Sequence, residues 1–154
     1  KILYLGKGSS YMPGQKLKEY CEAEFENIDT VVAELHSVVR LEKGYSTAEL
    51  AAIATFIHNC YNSFENILKR VLSLKNIKTK DASTWHKDLL KAALDEGIIS
   101  NDLYETLSNY LSFRHFFVHA YSFNIRWDEL KPLVDNLPGT LKEFKTKIYA
   151  YLES

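Results

Sequence analysis

The residues best suited to chemistry lie in one short segment, between Arg114 and Tyr121. Arg114 carries a planar guanidinium that stays charged at physiological pH and can donate several hydrogen bonds. His115 and His119 carry imidazoles, whose ordinary pKa near neutrality suits general acid or general base work. Tyr121 adds a phenol two residues after the second histidine. A permanent cation beside two proton carriers makes this segment the candidate site of the chain.

Arg114 occupies a helix position that should be apolar. The surrounding stripe, with steps of three and four, consists of Leu103, Leu107, Tyr110 and Phe117. A guanidinium on such a stripe cannot stay unpaired in a dry interior, so it either meets a carboxylate or marks a water-filled cleft. Glu65 and Glu105 are the partners we consider, and an ion pair with either would give Arg114 a structural role.

The spacing of the motif side chains limits how they can meet. His115 and His119 are four residues apart and share one helix face, which is half of a metal site. No cluster of carboxylates or cysteines completes that site, so we expect no metal and no other cofactor. Arg114 and His119 would lie about 140° apart around a helix, at about 100° per residue. They therefore converge only if the helix loosens near Val118 or if two protomers share one site.

The hydrophobic periodicity predicts an all-α fold, an antiparallel up-and-down bundle of four to five helices. The predicted helices cover residues 15–43, 46–74, 84–95, 101–118 and 127–154. The apolar stripe of the second helix should run from Leu50 to Leu74. Pro138 and Gly139 should break or kink the last helix, because proline lacks the N–H donor and clashes with the preceding turn.

The rest of the sequence indicates one helical domain. Residues 1–14 are predicted to be an irregular segment, either a short extended stretch, an expression remnant or an upstream fragment, and residues 15–154 the domain. Hydrophobic residues make up 46% of the chain, which favours a folded protein. Cys21 and Cys60 fall on apolar stripes, so we expect buried thiols. Without a transmembrane or signal pattern, we expect a cytoplasmic location and no membrane contact.

The motif segment resembles a known signature. Arg114-x4-His119-x-Tyr121, with His115 directly after the arginine, is similar to the Arg-x4-His-x-Tyr motif of HepT-like toxins, helical ribonucleases of the HEPN superfamily. Residues 61–70 resemble the second-helix segment of that family. The helix order is also similar: a long hairpin, a linker with a short helix, the motif helix and a last helix.

The resemblance implies a HEPN-like fold and a metal-independent endoribonuclease, the toxin of a toxin–antitoxin pair. In that family, His119 would be the acid or base and Arg114 would bind the scissile phosphate, with His115 as a second acid–base group or phosphate contact. Glu65 and Asn66 would support the site. The resemblance further implies a homodimer and a nucleotidyltransferase antitoxin that adds AMP to Tyr121.

The charge distribution is compatible with an RNA partner. The chain has a net charge of −1, so binding to RNA would need a local basic patch. Residues 69–91 contain seven basic residues against two acidic ones and could follow an RNA backbone. The default interpretation of such a stretch is a solvated linker and helix surface.

Two other interpretations remain open. The chain could be a non-catalytic HEPN-type module that binds a nucleotidyltransferase partner or a nucleotide and uses Arg114 only for docking. It could instead be an unrelated helical adaptor in which Arg114 forms a buried ion pair. A solvent-open cleft shared by Arg114, His115 and His119 would favour the enzyme, whereas an arginine sealed against a carboxylate would favour the adaptor.

Overall fold

The computed structural model describes residues 13–40, 44–77, 84–119 and 124–154. Within these ranges the chain forms five α-helices and no strand, which confirms the predicted all-α bundle. The helices are α1 (Pro13–Val38), α2 (Thr47–Leu74), α3 (Trp85–Asp95), α4 (Asn101–His119) and α5 (Trp127–Leu152). The first residues, including most of the predicted irregular segment, lie outside the described ranges.

The turn after α1 shortens that helix relative to the prediction. The helix ends at Val38, and residues 39 and 40 are not helical, so the predicted end at residue 43 is wrong at these two positions. The Arg40 N–H donates to the Tyr45 hydroxyl at 2.7 Å, and that hydroxyl donates to the Arg40 carbonyl at 2.8 Å. The Arg40 guanidinium donates to Glu49 at 2.6 Å. These contacts replace the last helical turn; residues 41–43 are not described.

Helix α2 is the central element of the bundle. Ser46 and Glu49 form a capping box at its start, as two reciprocal hydrogen bonds of 3.1 and 2.9 Å. The helix contacts each of the other four helices, so more of its surface is buried than one stripe predicts. The additional buried side chains are Ala54, Tyr61, Glu65, Leu68 and Leu72. Leu74, the predicted end of the stripe, is 47% exposed, because it closes the helix.

The connection from α3 to α4 sets where the motif helix begins. Gly97 has a φ of +75°, a left-handed conformation that glycine adopts without the steric cost of a side chain. Ile98 and Ile99 then enter the core, and the Ser100 hydroxyl accepts the Leu103 N–H at 3.2 Å. This cap fixes the start of α4, close to the predicted position.

Helix α5 runs without interruption through both of its prolines, so the predicted break at Pro138 and Gly139 is wrong. Both residues are exposed, and the apolar stripe packs into the core before and after them. The Tyr110 hydroxyl of α4 also donates to the Leu133 carbonyl at 2.7 Å. This hydrogen bond holds α5 against α4 about one turn before Pro138. Tertiary packing on both sides thus outweighs the hydrogen bond that Pro138 cannot donate.

The two cysteines are free and buried, as predicted. Burial raises the pKa of Cys60 to about 12. Burial, followed by the nearby Glu24 carboxylate, raises the pKa of Cys21 to about 11. Both thiols therefore stay protonated near neutral pH and act as small apolar side chains of the core. Across the described ranges, no helix is both long and apolar enough to span a bilayer.

Candidate functional site

Helix α4 stays regular through His119, which constrains the motif. The sequence allowed Arg114 and His119 to meet in one protomer only if the helix loosened near Val118. Because the helix is continuous there, the two side chains leave it about 140° apart. The loosening near Val118, one of the two arrangements considered from the sequence, is therefore not formed.

The two motif histidines form an exposed pair. The ring centroids of His115 and His119 are 4.6 Å apart, with the ring planes at 58°. Both residues are exposed on the last turns of α4, so a substrate in solvent can reach either ring. The predicted shared face is therefore present. In the described part of the chain, no cluster of three or more histidine, cysteine or acidic residues could hold a metal ion.

Arg114 is half-buried, points away from the face of the two histidines, and has no ion pair within the described residues. Glu65 pairs with His86 instead, and Glu105 is exposed. The sequence allowed a structural ion pair between Arg114 and either Glu65 or Glu105. Neither of these two pairs is formed. Arg114 keeps an unneutralised charge at the edge of the core.

Helix α2 supplies the side chains around Arg114. Burial, and then the charge of Arg114, lower the pKa of His58. Burial, and then the charge of Glu65, raise the pKa of Tyr61, while Arg114 acts in the opposite direction. The His58 ring packs against Phe117 of α4, with centroids 4.9 Å apart. Arg114 is therefore close enough to His58 and Tyr61 of α2 to act on both electrostatically.

Glu65 is buried one turn beyond Tyr61. The residue is 3% exposed, and His86 Nδ1 of α3 lies 2.8 and 3.0 Å from its two carboxylate oxygens. Because a carboxylate only accepts, the imidazole donates. The His86 ring lies 3.7 Å from the Trp85 ring, between centroids. The contact between Glu65 and His86 joins α3 to α2.

The two supporting residues suggested by the resemblance have different surroundings. Glu65 and Arg114 act on Tyr61 in opposite directions, and Glu65 forms its ion pair with His86. Asn66 is exposed, and its amide donates to Glu24 of α1 at 3.2 Å. Tyr121 lies outside the described residues.

Sequence reasoning missed the roles of His58, Tyr61 and His86 around the motif. The first two could have been found from α2 alone, because His58, Tyr61 and Glu65 follow one another at steps of three and four. That spacing places three polar-tipped side chains on one face of a largely apolar helix. His86 could not be found this way, since its pairing depends on how α3 docks.

The basic stretch is only partly described, because residues 78–83 are not. Lys69, Arg70 and Lys75 lie over aromatic rings of α3, α1 and α5 at 4.7, 4.5 and 5.6 Å from the ring centroids. Lys91 pairs with Asp95 at 3.1 Å. These four cations are exposed at the surface.

A groove of about 360 Å³ lies between α4 and α5. Its lining includes Phe113 and Phe116 of α4 and Glu129 and Asn136 of α5. Arg114, His115 and His119 are not part of this lining. The groove is therefore distinct from the surface that carries these three motif side chains.

The fold and the motif face together define a class of protein: an all-helical bundle whose fourth helix carries a half-buried arginine and two exposed histidines. The family model of HepT-like proteins matches residues 52–154, which contain nearly all of α2 and the whole of α3, α4 and α5. The chain belongs to the HepT-like family, as the motif predicted.

A solved structure has the same fold. The cytosolic protein of unknown function YutE from Bacillus subtilis matches with a TM-score of 0.68. The alignment covers 88% of this chain and 90% of YutE at 16% sequence identity, so the likeness concerns the fold alone. No curated protein matches the chain.

Proposed function

We propose that this protein is a metal-independent endoribonuclease of the toxin type, acting in the cytoplasm. The observation that carries the proposal is the charge of Arg114, which no carboxylate of the described residues neutralises, on the same helix as an exposed His119. A cation and an imidazole are the two groups that cleavage beside a ribose 2′-hydroxyl requires. Membership of the HepT-like family supports this assignment.

The motif residues can supply each step of the reaction. His119 takes the proton of the 2′-hydroxyl, and the resulting oxygen attacks phosphorus. Arg114 binds the non-bridging oxygens, where negative charge increases. His115, with its ring 4.6 Å from that of His119, protonates the departing 5′-oxygen. The products are a 2′,3′-cyclic phosphate and a 5′-hydroxyl.

A homodimer would bring the two separated groups together. Arg114 of one protomer and His119 of the other would face one phosphate across a two-fold interface. Val118 lies between them on the helix surface and is 46% exposed, so such an interface would cover it.

Cleavage of RNA should persist in excess EDTA, because Arg and His side chains supply both the charge and the proton transfers. Purified protein is incubated with a labelled RNA, and the product ends are identified by mass spectrometry. We expect a 2′,3′-cyclic phosphate or its hydrolysis product. The His119→Ala variant, purified in the same way, controls for contaminating nucleases.

Two results would contradict this mechanism. Activity that disappears on chelation and returns with a divalent ion would require a metal. A complete absence of cleavage would favour the alternative, a non-catalytic HEPN-type module that binds a nucleotidyltransferase partner or a nucleotide through Arg114.

Tyr121 is the proposed acceptor of AMP from a cognate nucleotidyltransferase antitoxin, the usual partner of HepT-like proteins. Adding AMP would place a phosphate near Arg114 and a nucleoside where RNA must enter, so the modified protein should be inactive. We expect a Tyr121 peptide heavier by one AMP after co-expression with such a partner. Suppressed toxicity with an unmodified Tyr121 would instead indicate inhibition by binding alone.

A further inference from the structure

The groove between α4 and α5 is not used by the roles proposed for the motif residues. Tyr110 and Leu133 belong to its lining, and the buried Tyr110 hydroxyl donates to the Leu133 carbonyl at 2.7 Å, so its two walls are joined by a hydrogen bond. Its volume of about 360 Å³ falls within the range of about 300–1,000 Å³ that is usual for ligand sites. The groove is therefore large enough for a flat heterocycle such as a nucleobase.

The α4 wall of the groove is aromatic. The ring centroids of Phe113 and Phe116 are 6.5 Å apart, with the ring planes at 41°. Phe113 is 7% exposed and is held by the core, whereas Phe116 is half-buried, so part of its ring is open to a ligand. Aromatic side chains of this kind stack on the bases of single-stranded RNA.

The lining also contains a carboxylate and two amides. Glu129, Asn109 and Asn136 are exposed, and their side chains form no hydrogen bond or ion pair with another described residue. Among the described lining residues, Glu129 alone is charged. Because a carboxylate only accepts hydrogen bonds, a base that binds Glu129 must present N–H donors to it, whereas the amides can serve either donors or acceptors.

Guanine is the RNA base that presents two adjacent donors on one edge. Its N1–H and its exocyclic amino group lie side by side, so one carboxylate can accept from both. Adenine, cytosine and uracil each present a donor beside an acceptor, and that acceptor would face a carboxylate oxygen. The O6 and N7 acceptors of guanine match the donors of an asparagine amide.

The groove lies directly beside one motif side chain, although it does not include that side chain. Phe116 and His119 are three residues apart on the regular helix α4, which makes them neighbours on its surface, with Cβ atoms about 5–6 Å apart. A base that stacks on Phe116 thus has its ribose, and the 2′-hydroxyl of that ribose, next to the His119 imidazole.

We propose that this groove binds a guanine base of the RNA substrate and that Glu129 determines the specificity for it. The proposal rests on the proposed function and deepens it, because it names the nucleotide whose 2′-hydroxyl attacks. His119 takes the proton of that hydroxyl, the 2′-oxygen forms its bond to phosphorus, and the bond from phosphorus to the 5′-oxygen breaks. Cleavage therefore occurs on the 3′ side of guanosine and leaves a guanosine 2′,3′-cyclic phosphate end.

Oligonucleotides that carry a single ribonucleotide in a DNA strand test the proposal, because only that ribonucleotide can be cleaved. We expect kcat/KM for guanosine to exceed that for adenosine, cytidine or uridine about 10- to 100-fold, the usual discrimination by a bidentate pairing to a base. Glu129→Gln keeps the size of the side chain and replaces one acceptor with a donor, so the preference for guanosine should disappear. Glu26→Gln, at an exposed carboxylate of α1 outside the lining, should retain it.

The outcomes separate this proposal from the proposed function. Equal cleavage at the four nucleotides would overturn the guanine site and leave the ribonuclease intact, and a guanosine preference that persists in Glu129→Gln would overturn the role of Glu129. Titration with guanosine and adenosine, followed by NMR, tests the site without cleavage. Tighter binding of guanosine by the wild type, lost in Glu129→Gln, supports the proposal even if no RNA is cleaved. Equal binding of the two nucleosides, or no binding, overturns it.

Discussion

Replacing His119 with alanine should lower kcat for RNA cleavage about 10²–10⁴-fold, the usual effect of removing an acid–base group. The side chain is exposed, and its ring contact is with His115 on the same helix, so the fold should not depend on it. Single-turnover kinetics with a defined RNA measures the effect, and circular dichroism checks the helical content. A variant with near wild-type kcat would show that His119 takes no part in the reaction.

Arg114→Ala should give a similar loss of activity with a small change in melting temperature. Arg114 pairs with no carboxylate in the described residues, so the substitution strands no buried charge. A matched control is Arg126→Ala, at an exposed arginine that pairs with exposed Asp128. A large drop in melting temperature for Arg114→Ala alone would support the structural interpretation of this arginine.

The two inactive variants should complement each other if the site is shared between protomers. In a mixed dimer, one site combines the intact Arg114 of one chain with the intact His119 of the other. Random exchange gives about half mixed dimers with one complete site each, so about a quarter of wild-type activity should return. No recovery after confirmed exchange, or a protein that is monomeric by light scattering at micromolar concentration, would contradict the shared site.

The sequence predicted the features of the fold that depend on local pattern. The stripe of α2 repeats at steps of three and four, and Ser46 with Glu49 marks its start, so both could be identified before any packing was known. The end of α1 depends instead on the contact between Arg40 and Tyr45, which forms only when the hairpin closes. The continuity of α5 through Pro138 likewise depends on packing to either side.

The sequence predicted the motif side chains of the candidate site but not the side chains around Arg114. Arg114 was identified because it interrupts an apolar stripe, and the shared face of His115 and His119 follows from their spacing. The side chains that surround Arg114 come from another helix, and their contacts depend on the register between α2 and α4. Steps of three and four within α2 could have shown that His58 and Tyr61 share a face, but not that this face meets Arg114.

Replacing His86 with alanine should lower the free energy of unfolding by about 3–5 kcal/mol, because it leaves the buried Glu65 carboxylate unpaired. Glu65 is 3% exposed, and both its oxygens accept from His86 within 3.0 Å. Urea unfolding measures the loss. The control His36→Ala, at an exposed histidine, should change the free energy by less than about 1 kcal/mol. A loss that small for His86→Ala would mean that Glu65 does not need this partner.

The double variant Glu65→Leu/His86→Leu should be more stable than His86→Ala alone. Replacing the buried, hydrogen-bonded pair of Glu65 and His86 with apolar side chains removes the desolvation cost along with the pairing, whereas removing one partner leaves that cost uncompensated. Because Glu65 also acts electrostatically on Tyr61, the double variant separates two roles of the carboxylate. A stable double variant with a lower kcat would show that Glu65 supports Arg114 through Tyr61, and an unchanged kcat would confine Glu65 to docking α3 on α2.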